Sequence, residues 1–272
     1  MNYKEDIKAV AFDFDGTLID FNYNATDYTR KALKRLNEEG YKVCLSSGRP
    51  CFMALKAFRE KFPECKLDYV FGCNGSEIMD VQKDETRILY PLKAEEIRYI
   101  GRVLEDADFL TVGIYDGEDF LVNRIRESEQ LESWMKARYL TPNLYDYQLN
   151  DKDRSKVIVV NDREDREKEI EYIKNIDLSN FSAFYSSPYC FEIAPKGISK
   201  AKSCEELSSI LNCDLSQILS FGDMENDMPM LKATTGVIMD NATDELKAQI
   251  PLHTSRVDEL GVYDFLSRNG MI

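Results

Sequence analysis

Short apolar runs alternate with segments of helical periodicity at both ends of the chain, whereas charge fills the middle. Ile7, Ala9, Val10, Ala11 and Phe12 form an apolar run of strand length that leads straight into Asp13, Phe14, Asp15, Gly16 and Thr17. Tyr28, Ala32, Leu33 and Leu36 recur on one helical face, and Gly40 supplies a C-terminal stop. A second buried strand is predicted at 41–46. A helix is predicted at 50–62 from the spacing of Phe52, Leu55, Phe58 and Phe62, with Pro50 suited to its first turn and Pro63 ending it. A third strand at 69–73 meets the turn dipeptide Asn74-Gly75. Strand, helix, strand, helix, strand predicts a parallel sheet with covering helices.

Beyond Met79 the texture changes. The pattern predicts a helix at 93–106 on Ile97, Ile100 and Leu104, paired strands about Asp116-Gly117, and a helix at 130–138. A strand at 156–160, a charged helix at 164–176 and a strand at 181–185 complete an α+β module. The run DREDREKEIE mixes both signs and reads as the solvated face of a helix. From Tyr189 the first texture returns, with strands at 189–193, 218–221 and 236–239 and helices at 199–211, 228–231 and 244–250. The expected organisation is an α/β, Rossmann-like parallel-sheet core formed by 1–82 and 188–272, with 83–187 inserted as an α+β module.

Composition narrows the chemistry. With 272 residues, 43% of them hydrophobic, the chain can bury a substantial core. A formal net charge of -14 argues against nucleic acid or an anionic membrane as principal partner. The seven cysteines show no metal-like spacing and read as reduced, buried thiols. No apolar run approaches membrane-spanning length and nothing before Ile7 reads as a signal peptide, so the expected location is cytoplasmic. The single histidine, His253, is expected at the surface, which leaves little room for histidine-activated nucleophiles or a histidine-rich zinc site.

The polar residues fall at the predicted strand ends. Asp13 and Asp15 follow the first strand and share a face if the extended geometry persists, while Gly16 lets the chain turn away. An acidic pair at a strand end is by itself commonly a solvated turn, but this one has company. Ser47 and Gly48 follow the second strand, Gly222-Asp223 follows a late one, and Lys200, Asn226 and Asp227 stand at helix starts. In an open parallel sheet, ligands collect at the carboxyl ends of strands. Carboxylates, a lysine and small donors together suit phosphoryl transfer. Mg²⁺ favours oxygen ligands, and a lysine with hydroxyl and backbone N–H donors binds phosphoryl oxygens.

D-x-D-G-T at 13–17, S-G-R at 47–49, G-I-S-K at 197–200 and G-D-x-x-N-D at 222–227 resemble the four ordered motifs of the haloacid dehalogenase superfamily, in particular its Cof-type branch with the class IIB cap. Residues 71–78 resemble the segment that leads into such a cap, and 189–195 the one leading out. The resemblance implies a Mg²⁺-dependent phosphatase acting on a small phosphorylated metabolite, a sugar phosphate or related phosphomonoester. Asp13 would attack phosphorus to form an aspartyl-phosphate, and Asp15 would protonate the leaving alcohol and later deprotonate water. Mg²⁺ would be held by Asp13, the backbone carbonyl of Asp15 and Asp223, with Asp227 in support. Phe14, Ser47, Gly48, Lys200 and Asn226 would cradle phosphate, and Arg49 and Asn74 would face the substrate entrance.

Lys196 competes with Lys200 for the third motif, and Lys200 holds the matching spacing. Ser47 stands where this branch more commonly has threonine and keeps the hydroxyl. Thr17 is read as stabilising the turn, and the tail at 251–266 departs from the family's usual ending. Two other functions are compatible with the motifs: a phosphomutase, in which the phosphoryl group returns to the sugar, and a non-catalytic phospho-aspartate signalling module. The inserted module and the acid at Asp15 favour hydrolysis.

Overall fold

The computed structural model of the chain describes residues 3–126, 129–136, 138, 140–187 and 189–272. Eight of the described strands form one sheet, in the order Leu252–Thr254, Thr235–Met239, Ile218–Gly222, Ala9–Phe12, Lys42–Ser46, Tyr69–Gly72, Glu77–Asp80, Glu85–Ile88. The first six are parallel, and the last two join by antiparallel pairing, Glu77–Asp80 to Tyr69–Gly72 and Glu85–Ile88 to Glu77–Asp80. Alternation along the central strands sends residues to two different cores. Val10, Phe12, Val43 and Leu45 pack with Ala32, Leu33, Leu36, Ala54 and Phe58 on one face. Ala9, Ala11, Cys44 and Phe71 pack with Cys204, Leu207 and Met230 on the other. Burial on both faces explains why the strands read as continuous apolar runs.

The helix Asp27–Glu38 begins where the Thr26 hydroxyl accepts the N–H of Thr29. Thr29, not Tyr28, joins Ala32, Leu33 and Leu36 in the buried stripe, and Tyr28 is exposed. The larger ring sits outside because position 29 lies on the same stripe as 32, 33 and 36, and Tyr28 finds the ring of Tyr263 at 5.5 Å. The second helix is Cys51–Lys61, with Pro50 as its cap.

Six described strands form a second sheet, in the order Phe181–Ser187, Cys190–Pro195, Val157–Val160, Thr111–Asp116, Asp119–Val122, Pro142–Leu144. Val112, Ile114, Val157, Val159, Phe191 and Ile193 form its core with Ile97 and Ile100 of the helix Ala94–Val103 and its C-cap Leu104. The expected turn at Asp116-Gly117 is present, with Gly117 at φ +62. The helix expected at 130–138 is Glu129–Lys136, and Ala137 lies outside the described residues.

The chain divides into Met1–Leu89 with Ser199–Ile272, and Tyr90–Ile198. Both expected boundaries, at 82/83 and 187/188, therefore move. Glu77–Asp80 and Glu85–Ile88 extend the first sheet as a hairpin, and Cys190–Ile193 pairs antiparallel with Val157–Val160 in the second. A buried apolar strand looks the same in either sheet; only its partners decide. At the C-terminus the expected helix shortens to Asp244–Lys247. The strand Leu252–Thr254 and the helix Val262–Arg268, unanticipated in the tail, close the first sheet's edge and core.

Candidate active site

The parallel strands deliver their polar successors to one edge. The Asp13 N–H donates to the Phe221 carbonyl and the Ser47 N–H to the Phe71 carbonyl, both at 2.9 Å, so each ladder continues one residue past its strand. Two glycines then bring the acids together. Gly16, at φ +96, turns the chain beneath Asp223, where a Cβ would meet Asp223 Oδ2 at 2.2 Å. Gly222 leaves room for Asp227 to fold back, and a Cβ there would lie 2.5 Å from Asp227 Cβ. Asp227 Oδ2 accepts the N–H groups of Asp223 and Met224, both at 2.9 Å, and its Oδ1 accepts Lys200 Nζ at 2.6 Å.

Lys200 is buried and also donates to Asp13 Oδ1. Asp13, Asp223 and Asp227 each offer an oxygen within 4.8 Å of the others. Burial holds the Asp13 carboxyl well above its ordinary value, Lys200 pulls it down, and Asp227, Asp223 and Asp15 push it up. Burial and the Asp227 charge push Asp223 up to about 7, against the hydrogen bond from Thr17. For Lys200, burial opposes the charge, but Asp13 and Asp227 raise it above the ordinary lysine value. With all four groups ionised, the cluster carries an excess of negative charge that one divalent cation would balance. Its donors are carboxylate oxygens, which fit a hard cation such as Mg²⁺.

Two neighbours complete the trio's surroundings. Thr17 Oγ1 donates to Asp223 Oδ1 at 3.1 Å, so its role extends beyond the turn. Asn241 Nδ2 donates to the Gly16 carbonyl at 2.9 Å and to Asp223 Oδ2 at 3.2 Å, while its Oδ1 accepts the Val257 N–H. Asn241 was not anticipated, although it follows the carboxyl end of Thr235–Met239, where the strand-end rule would have flagged it.

Asp15 does not share the trio's face. The Gly16 turn directs its carboxylate to Arg49, whose Nε and one terminal nitrogen donate to Asp15 Oδ2 and Oδ1 at 2.9 and 2.6 Å. Arg49, expected at the substrate entrance, is thus engaged in a two-pronged pair. Burial opposes its charge and Asp15 more than offsets that, leaving its pKa raised. Ser47 is buried, and its Oγ accepts the Arg49 N–H at 3.2 Å. The Asn74 N–H donates to the Ser47 carbonyl at 2.9 Å, and Asn74, left-handed at φ +56, accepts Asn226 Nδ2 at 3.4 Å. A Cβ on Gly48 would lie 3.5 Å from Asn74 Oδ1, so Ser47, Gly48, Asn74 and Asn226 adjoin one another. Phe14 is buried between the two acids in sequence.

The competing lysine is elsewhere: Lys196 Nζ donates to the carbonyls of Ser179 and Phe181. His253 is exposed, its Nε2 2.9 Å from the Ile250 carbonyl oxygen. All seven cysteines are free, and burial pushes the thiols of Cys190 and Cys204 up to about 12, away from reactivity. Among the described residues, no helix is long and apolar enough to cross a membrane.

The doubly wound sheet thus gathers three carboxylates around a buried lysine at its strand ends, a site suited to a cation and an anionic substrate. The chain belongs to the haloacid dehalogenase-like hydrolases, whose family model matches residues 10–266. It resembles a crystal structure of a haloacid dehalogenase-like hydrolase from Bacteroides thetaiotaomicron with a TM-score of 0.83 and 26% identity, covering 96% of this chain and 99% of that one. It is 27% identical to the 5-amino-6-(5-phospho-D-ribitylamino)uracil phosphatase YcsE of Bacillus subtilis, over 94% of this chain and 93% of the relative. It is also 27% identical to the HMP-PP phosphatase of Klebsiella pneumoniae, over 90% of this chain and 88% of the relative. As a member of that family the chain is an enzyme, a hydrolase.

Proposed function

We propose that this chain is a Mg²⁺-dependent phosphatase of a small phosphorylated metabolite, working through an aspartyl-phosphate on Asp13. The observation that carries the reading is the buried Lys200 bridging Asp13 and Asp227 beside Asp223. The three acids outweigh the lysine by two charges, which one divalent cation would balance, and the lysine offers its charge to an anionic phosphoryl group. The names of the two relatives, both phosphatases of small phosphorylated compounds, support the substrate class.

In the first half-reaction an Asp13 oxygen forms a bond to phosphorus as the bond to the leaving oxygen breaks. Asp15 gives its proton to that oxygen, so the alcohol departs neutral. In the second, Asp15 takes a proton from water, which attacks the aspartyl-phosphate and releases inorganic phosphate, regenerating the Asp13 carboxylate. Lys200 and the donors around Ser47, Gly48, Phe14 and Asn226 hold the phosphoryl oxygens. Mg²⁺, when bound, supplies the charge that lets a carboxylate approach an anionic ester. Asp13, Asp223 and the Asp15 carbonyl would hold it, with Asp227 fixing the loop beneath. In this reading residues 90–198 are the cap.

The test is phosphate release from a panel of phosphorylated metabolites and p-nitrophenyl phosphate, with and without Mg²⁺, for wild type and Asp13→Asn. Metal-dependent release that Asp13→Asn abolishes is the expected result. Unchanged release from Asp13→Asn would overturn the mechanism, and transfer of the group back to a sugar without release would make the enzyme a mutase.

A further inference from the structure

The Arg49 guanidinium, which grips Asp15, lies over two aromatic rings, Phe14 and Tyr23, each with its centroid 5.5 Å away. Phe14 is a fixed wall of the core. Tyr23 is not: its ring is partly exposed, and its hydroxyl lies 3.3 Å from the same Arg49 nitrogen that donates to Asp15 Oδ1. No motif singled Tyr23 out.

The backbone beneath it is unusual. Tyr23 adopts φ +62, a conformation that a bulky non-glycine residue avoids. It is held there by a closed loop. Asp20 Oδ1 accepts the N–H groups of Asn22 and Asn24, both at 2.8 Å, and Oδ2 accepts Asn24 Nδ2 at 3.2 Å. The Asp20 N–H donates to the Asn24 carbonyl at 2.9 Å and the Tyr23 N–H to the Asp20 carbonyl at 3.0 Å. A left-handed residue persists only where its surroundings over-determine it, and such positions gather at functional sites. Here the conformation delivers one ring to one guanidinium.

Resting on the assignment of Asp15 as acid and base, we infer that Tyr23 is a positioning residue: its ring fixes Arg49, and Arg49 in turn fixes the Asp15 carboxylate. A planar cation in contact with two rings and the Tyr23 hydroxyl keeps the orientation that its two-pronged bond to a carboxylate needs. Without Tyr23, one side of Arg49 opens to solvent and the Asp15 carboxylate loses its fixed direction.

Leaving-group dependence reads this role, because a general acid matters most when the departing oxygen is strongly basic. The assay compares kcat/KM, which reports only the steps through formation of the phospho-enzyme, for an alkyl phosphate and for p-nitrophenyl phosphate in wild type, Tyr23→Asn, Tyr23→Phe and Asp15→Asn. Asn tolerates the left-handed backbone, so Tyr23→Asn removes the ring with little disturbance of the loop. The expected result for Tyr23→Asn is a loss of about tenfold in kcat/KM on the alkyl ester and a much smaller loss on the aryl ester. Tyr23→Phe, which keeps the ring, should restore most of the rate. Equal losses in kcat/KM on both esters, or no loss on the alkyl ester in Tyr23→Asn, would each overturn the inference. If Asp15→Asn itself shows no preference for the aryl ester, the assignment of Asp15 fails, a result distinct from failure of Tyr23 alone.

Discussion

Replacing Lys200 by methionine tests the electrostatics of the site directly. The stem keeps its apolar shape while the charge disappears, leaving Asp13 and Asp227 without the cation that both contact. Lys200 and Asp227 are essentially inaccessible and Asp13 nearly so, so water cannot take the lost partner's place. Breaking a buried pair in this way costs about 3–5 kcal/mol, which for a domain of this size lowers Tm by roughly 6 to 20 °C. The loss has a defined pH dependence. Carboxyls whose folded pKa is raised bind protons in the folded state that the unfolded chain lacks, so their cost is absent at low pH and grows as pH rises through the folded value, about 7 for Asp223. Metal-free Lys200→Met should therefore lose more stability at pH 8 than at pH 5, measured by urea unfolding in the presence of a chelator. A loss below about 1 kcal/mol at pH 8, or a loss larger at pH 5, would refute the account.

Asn241→Ala removes three hydrogen bonds, to the Gly16 carbonyl, to Asp223 and from the Val257 N–H, and should weaken Mg²⁺ binding about 10- to 100-fold while costing about 1–3 kcal/mol of stability. Isothermal titration with Mg²⁺ against thermal unfolding separates the two effects. In the metal-free protein, stability relative to Asp223→Asn should fall as pH rises from about 4 to about 7, because the folded state keeps a proton on Asp223 that the unfolded chain releases. Saturating Mg²⁺ should remove that slope, and a metal-free difference that stays flat would show that Asp223 is not perturbed.

The sequence made the core legible because two simple periodicities coincide there. Val10 and Phe12 alternate with Ala9 and Ala11 onto opposite faces of a fully buried strand, and every parallel strand ends in residues that the sheet topology must bring together. Thus Asp13, Ser47, Asp223, Lys200 and Asp227 could be chosen from positions far apart in the chain. What escaped depends on side-chain direction after the strand ends. Asp15 leaves the trio because Gly16 turns at φ +96, and no pattern in the letters specifies that Arg49 is its partner. Asn241 belongs to a strand outside the four motifs. Cys190–Pro195 has the apolar character of a core strand, yet it joins the other sheet because Val157–Val160 offers its edge.

The hydrogen bonds also divide labour among carboxylates that look alike in sequence. Asp227 uses one oxygen on two backbone N–H groups and the other on Lys200, so both are occupied in shaping the loop and the lysine. Asp223 has Thr17 on one oxygen and Asn241 on the other, both neutral donors that leave its charge available to a cation. Asp15 is held outside by Arg49. Asp13 gives one oxygen to Lys200, and among the described residues its Oδ2 accepts no hydrogen bond. A nucleophile needs a lone pair that nothing else holds. Of the four acids, Asp13 alone combines burial beside a cation with such an oxygen, which supports the proposal that it is the attacking group.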